Sequence, residues 1–60
     1  MLEDKKLMEL ISSLGNQIEG YEYTKGTVKR GVDPERILES RKETLKKDLN
    51  SLISYVKKNY

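Results

Sequence analysis

The sequence predicts an all-α protein, an antiparallel two-helix hairpin with a helix over about residues 3–30, a tight turn over 31–33 and a helix over about 34–58. Three observations predict it: an apolar repeat in each half of the chain, helix-stop and helix-start residues at the midpoint, and a register that joins the two repeats. Residues 1–60 are interpreted as a single helical-hairpin domain. We expect two copies to associate into a four-helix bundle.

Apolar residues recur at alternating spacings of three and four in both halves of the chain. In the first half, the d positions of this heptad hold Leu7, Leu14, Tyr21 and Val28, and the a positions hold Ile11, Ile18 and Lys25. In the second half, the d positions hold Leu38, Leu45 and Leu52, and the a positions hold Lys42, Leu49 and Val56. This periodicity is typical of amphipathic helices that pack along a seam.

The stretch KRGVDPE, residues 29–35, contains the chain's one proline and is interpreted as the turn. Its two basic residues come first, where cations favour the negative end of a helix dipole. Gly31 suits the left-handed conformation that follows many helices. Asp33 is predicted to cap the second helix, with Pro34 at its first position.

The two repeats predict where the chain turns, independently of the turn residues. In an antiparallel hairpin an a residue faces a d residue, and pairs whose residue numbers add to 63 satisfy this condition. These pairs are Leu7 with Val56, Ile11 with Leu52, Leu14 with Leu49, and Ile18 with Leu45. The centre of this register lies between Gly31 and Val32, where the stop and start residues also place the turn.

Residues 20–27, GYEYTKG and the threonine that follows, are the weakest part of the first predicted helix. Gly20 and Gly26 each destabilise a helix by roughly 1 kcal/mol relative to alanine. A short hairpin of strands is the alternative. Tyr21 and Val28 continue the apolar repeat in phase, which favours a helix.

Composition argues against an enzyme. The chain has no cysteine and no histidine, so it lacks thiolate ligands and the commonest general base. We therefore predict no catalytic, cofactor-binding or metal-binding residues. No apolar run approaches the roughly 18 residues that span a membrane, and the N-terminal residues do not resemble a signal peptide. We expect no membrane association and a cytoplasmic location.

Several apolar side chains lie beside the predicted seam, towards the open end of the hairpin. A hairpin alone has nothing else to cover them, which indicates an interface with a second copy, a larger protein, or both. Those beside the seam are Met8, Leu10, Ile53, Tyr55 and Tyr60, with Leu2 nearby, and the seam residue Tyr21 is also predicted to belong to the interface. Gly15, beside them, would allow close helix approach. The predicted function is a non-enzymatic interaction module: a regulator, inhibitor or adaptor that docks a helical face on a larger protein.

Two alternatives remain open at this point. Arg41, Lys42, Lys46 and Lys47 would contact phosphates if the chain were a nucleic-acid-binding dimer, although acidic residues are interleaved with them. The chain would otherwise be a purely structural self-assembly module. The absence of alanine beside nine lysines is compatible with the AT-rich genome of a bacterium or phage.

Overall fold

The computed structural model describes residues 4–60, which form two packed α-helices, α1 (Lys5–Lys29) and α2 (Glu35–Asn59). The predicted bounds agree with these to within about two residues. The predicted start of the first helix at residue 3, and Leu2, lie outside the described residues. The all-α hairpin is confirmed.

Helix α1 begins at a side-chain cap that the sequence analysis did not identify. Asp4 has an extended backbone (φ −113°, ψ 91°), and its carboxylate accepts a hydrogen bond from the Leu7 backbone N–H at 2.9 Å. This bond satisfies one of the backbone donors left free in the first turn of a helix. From there α1 continues to Lys29 without a break, so residues 20–27 are helical and the alternative with strands is wrong.

The turn follows the Schellman pattern, as Gly31 predicts. Gly31 adopts a positive φ of 77°, its N–H donates to the Val28 carbonyl at 3.0 Å, and the Val32 N–H donates to the Thr27 carbonyl at 2.9 Å. These two bonds satisfy carbonyl groups that the end of α1 leaves free. Gly31 thus ends α1 and reverses the chain.

The predicted start of α2 is wrong by one residue. Pro34, with an extended backbone, occupies the cap position, and no side chain caps the helix. Asp33 does not supply the predicted cap because it lies one residue before the cap position, with its backbone N–H directed to the Thr27 carbonyl, 3.4 Å away. Glu35 lies in the first turn of α2, where a negative charge is favourable.

Side-chain hydrogen bonds between the helices show that they run antiparallel. Ser13 Oγ donates to Asp48 Oδ2 at 2.8 Å, and Arg41 Nε donates to Thr24 Oγ1 at 3.2 Å. Higher positions on α1 therefore meet lower positions on α2. Both pairs lie within one helical turn of the predicted register.

The predicted seam is correct in one row and wrong in the other. The d residues Leu7, Leu14, Leu45 and Leu52 are half-buried, whereas the a residues Ile11, Ile18, Leu49 and Val56 are exposed. The second row of the seam is formed instead by Leu10, Gln17 and Thr24 of α1 and by Asp48 and Tyr55 of α2. This rotation brings together the Ser13–Asp48 and Thr24–Arg41 pairs, which hydrogen-bond across the two helices.

The part of the seam next to the turn is polar. Thr24 and Thr27 are each 3% exposed, and Thr27 Oγ1 donates to the Thr24 carbonyl at 2.9 Å. The Arg41 guanidinium crosses Gly20, where an added Cβ would stand 3.2 Å from Nη1. Between residues 4 and 60, no apolar side chain is fully buried. Over these residues the hairpin by itself has a seam but no enclosed hydrophobic core.

Candidate protein-interaction face

Ten large apolar side chains of the described chain are exposed, and six of them lie on one side of the hairpin. These six, Met8, Ile11, Ile18, Leu49, Ile53 and Val56, are named the apolar face. In α1 its members follow one another at three and seven residues, and in α2 at four and three, which places each row on one side of its helix.

The position of a cleft on the opposite side shows that the two rows share one surface. Lys6 of α1 and Ser51 of α2 line the same shallow cleft. Ser13, which bonds to Asp48, lies one heptad from Lys6 and so marks the same side of α1. In an antiparallel pair, corresponding sides of the two helices lie next to each other. Because one pair of sides borders the cleft, the sides of α1 and α2 that point away from the cleft also lie next to each other. These carry Ile11 and Ile18 on α1 and the apolar row of α2.

The accessible surface of the chain is large for its mass. It exposes 5023 Å², whereas a compact folded monomer of 7.0 kDa exposes about 4,000 Å². The excess of about 1,000 Å² is similar to the ~800 Å² that each partner contributes to a standard protein interface. The apolar face is the most apolar part of this exposed surface, with Ile11 53% and Leu49 44% exposed.

The predicted interface residues do not all lie together. Met8 and Ile53 are exposed on the apolar face. Leu10, Tyr21 and Tyr55 are half-buried within the hairpin. Tyr60 is exposed at the open end, where residues 4 and 60 meet. Their roles in binding remain predictions.

The heptad pattern predicts a place in the seam for the other four members of the apolar face, Ile11, Ile18, Leu49 and Val56. The missed signal was the width of the apolar stripe. In α1 it includes residues 7, 8, 10, 11, 14 and 18, which is broader than the two rows that one neighbouring helix covers. A stripe of this width indicates two neighbours instead of one.

A polar cluster closes the open end of the hairpin. Asp4 Oδ1 and Oδ2 accept hydrogen bonds from Tyr55 Oη at 2.9 and 3.0 Å, and Oδ2 accepts another from Tyr60 Oη at 2.5 Å. These three residues are named the clasp. It ties the N-terminal cap of α1 to the C-terminal end of α2.

The hydrogen bonds of the clasp lower the pKa of its aspartate and raise the pKa values of its two tyrosines. The Tyr60 hydroxyl, and after it the Leu7 N–H, lowers the pKa of Asp4 below its ordinary 3.8. The hydrogen bond to Asp4 raises the pKa of Tyr55 and the pKa of Tyr60 above 10.0. All three shifts favour the same protonation state, a carboxylate that accepts from two neutral phenols.

The clasp therefore predicts a loss of stability at both ends of the pH range. Asp4, with its lowered pKa, stabilises the fold above pH 3.8, and this contribution is lost as the pH falls through the folded-state pKa. The tyrosines stabilise it below pH 10.0 and lose their contribution as the pH rises through their raised pKa values. Urea unfolding of wild type and Asp4→Asn measures the acid limb. Asparagine also caps helices, so the variant should lose less stability than wild type between neutral pH and pH 3. Equal losses would contradict the role of Asp4.

Two of the four basic residues of the nucleic-acid alternative have side-chain partners within the hairpin. Arg41 donates to Thr24, and Lys42 Nζ lies 3.5 Å from Glu39 Oε1. Lys46 and Lys47 are exposed, with Glu43 and Asp48 close to them in sequence. Nucleic-acid contact by these residues remains a prediction.

Within residues 4–60, no three acidic, histidine or cysteine side chains lie close enough to share a metal ion. Neither α1 nor α2 is long and apolar enough to cross a lipid bilayer. No protein-family model, curated protein sequence or solved structure matches this chain.

Proposed function

We propose that this chain is a non-enzymatic protein–protein interaction module of the cytoplasm that acts through its apolar face, and that the first occupant of this face is a second copy of the chain. Two hairpins joined in this way make a four-helix bundle. The observation that carries the proposal is the apolar face itself, which lies exposed on a hairpin that has no fully buried apolar side chain among its described residues.

The excess exposed surface area of the hairpin supports a second copy as the partner that covers the apolar face. The excess exposed surface of about 1,000 Å² corresponds to one side of a standard interface. A symmetric partner of the same size would cover it, and the seam leucines would then lie at the centre of a shared core. Small domains without disulfides or metals commonly reach stability by association of this kind.

A regulatory or adaptor role extends the same proposal. A helix of a larger protein would bind by the same apolar contacts and would compete with the second copy. The dimer is then the resting form of the module.

Sedimentation equilibrium over micromolar concentrations tests the proposal. The expected mass is about twice 7.0 kDa, with dissociation towards the monomer on dilution. A well-folded monomer of 7.0 kDa throughout this range would contradict self-association. A folded monomer that gains mass only when a helical protein partner is added would instead support heterologous docking.

A further inference from the structure

The apolar face covers only half of its side of the hairpin, the half at the open end. On the same side as the apolar face, the half next to the turn carries charged residues, namely Glu22, Lys25 and Lys29 of α1 and Glu39, Lys42 and Lys46 of α2. Their helical spacing places them there: Glu22 follows Ile18 by four residues, and Lys42 precedes Leu49 by seven. The side chains of Lys42 and Glu39 are 43% and 63% exposed, so a partner can reach both.

The area requirement favours overlap along the whole hairpin. The molecule measures 47 Å by 18 Å across its two longest dimensions, a footprint of roughly 850 Å², close to the ~800 Å² that each partner of a standard interface buries. Overlap of the apolar halves alone would give about half of this footprint. An interface of standard size is therefore reached only if the charged half is covered as well.

Full overlap allows two arrangements, and the charges distinguish them. If the turns lie at opposite ends, the apolar face of each copy meets the charged half of the other, which buries charges against apolar groups. If the turns lie at the same end, apolar halves meet each other and charged halves meet each other. A two-fold axis parallel to the helices then places α1 of each copy along α2 of the other.

The positions of the charged residues along the helix axis show which residues of the two copies would face each other in the second arrangement. Arg41 contacts both Gly20 and Thr24, so Glu22 lies level with residues 41 and 42. Lys25, one residue beyond Thr24, lies nearer the level of Glu39. A two-fold axis along the helices preserves these heights between copies. Opposite charges would therefore face each other at both levels.

We propose that the two copies stack through the apolar face with their turns at the same end. Glu22 of each copy then faces Lys42 of the other, and Lys25 faces Glu39. This arrangement rests on the proposed self-association and defines its geometry. The charged half contributes orientation, because complementary charges select one alignment over its alternatives.

A single spin label at the turn measures the orientation. The chain has no cysteine, and Val32 is 69% exposed at the tip of the turn, so Val32→Cys gives one labelled position per copy. Pulsed electron–electron double resonance of the dimer should give a distance between the two spin labels well below the 47 Å length of the hairpin. A separation close to the 47 Å length of the hairpin, in a sample that sediments as a dimer, overturns the arrangement and leaves self-association standing.

A charge exchange tests the predicted pairs. Glu22→Lys and Lys42→Glu should each weaken the dimer by about 3- to 10-fold, because each change places like charges together twice. The double variant should recover most of this loss. Glu19→Lys, with the same charge change three residues away on the outer surface of α1, should have little effect. Failure of the double variant to recover affinity contradicts the pairing, and a wild type that never dimerises contradicts the proposed self-association as well.

Discussion

Ile53→Glu is expected to dissociate the dimer and to reduce helix content at micromolar concentration. In the single hairpin Ile53 is 43% exposed, where a charged substitution would cost only about 1 kcal/mol of lost apolar burial. In the proposed dimer the same carboxylate would be buried without a partner, at about 3 kcal/mol or more for each copy. The dissociation constant should therefore rise by more than ~100-fold. Sedimentation equilibrium and far-ultraviolet circular dichroism measure both effects.

Asn50→Glu is the matched control for this substitution. It adds the same charge to the same helix, one turn away, at an exposed residue on the side of the shallow cleft. We expect it to sediment and to fold like wild type. If Ile53→Glu behaved in the same way as Asn50→Glu, the apolar face would not be an interface.

Gly31→Ala is expected to destabilise the fold by about 1–2 kcal/mol, because alanine pays a steric penalty in the left-handed conformation that Gly31 adopts at φ 77°. This is a large fraction of the stability of so small a domain. Chemical denaturation at fixed protein concentration measures it. A smaller loss for Gly31→Asn would confirm the conformational cause, since asparagine tolerates the left-handed region better than alanine.

Gly26→Ala supplies a control with the opposite sign. Gly26 lies within α1, and an added Cβ there would meet only the Arg30 side chain, at an ordinary 3.6 Å. The same chemical change should therefore stabilise the fold by about 0.5–1 kcal/mol through helix propensity. Destabilisation by both substitutions to the same extent would contradict the assigned roles of the two glycines.

Features determined by neighbouring residues could be predicted from the sequence. The apolar repeats gave both helices, and Gly31 marked the end of α1 because a residue free to adopt positive φ is needed there. The Asp33 cap was wrong because the turn directs the Val32 and Asp33 amides to the Thr27 carbonyl and delays α2 by one residue. A shift of this size depends on backbone geometry that composition does not reveal.

The rotation of the helices could not be predicted, because it depends on pairs far apart in sequence. A stripe as wide as that of α1 can pack on either of two sides with similar apolar burial. On the side that packs, Ser13 bonds to Asp48 and Arg41 bonds to Thr24, and these partners are 35 and 17 positions apart in sequence. The clasp was missed for the same reason, since Asp4 and Tyr60 are 56 positions apart. Ile11 and Ile18 were consequently placed in the seam instead of on the apolar face.

The most direct measurement of the central claim uses a mixture of isotope-labelled and unlabelled chains, in which nuclear Overhauser effects between copies are separated from those within one copy. The account predicts intermolecular effects between the methyl groups of Ile11 and those of Leu49 or Ile53. If the helical hairpin is intact and these methyl groups show effects only within their own chain, the apolar face is not covered by a second copy, and the proposal is wrong.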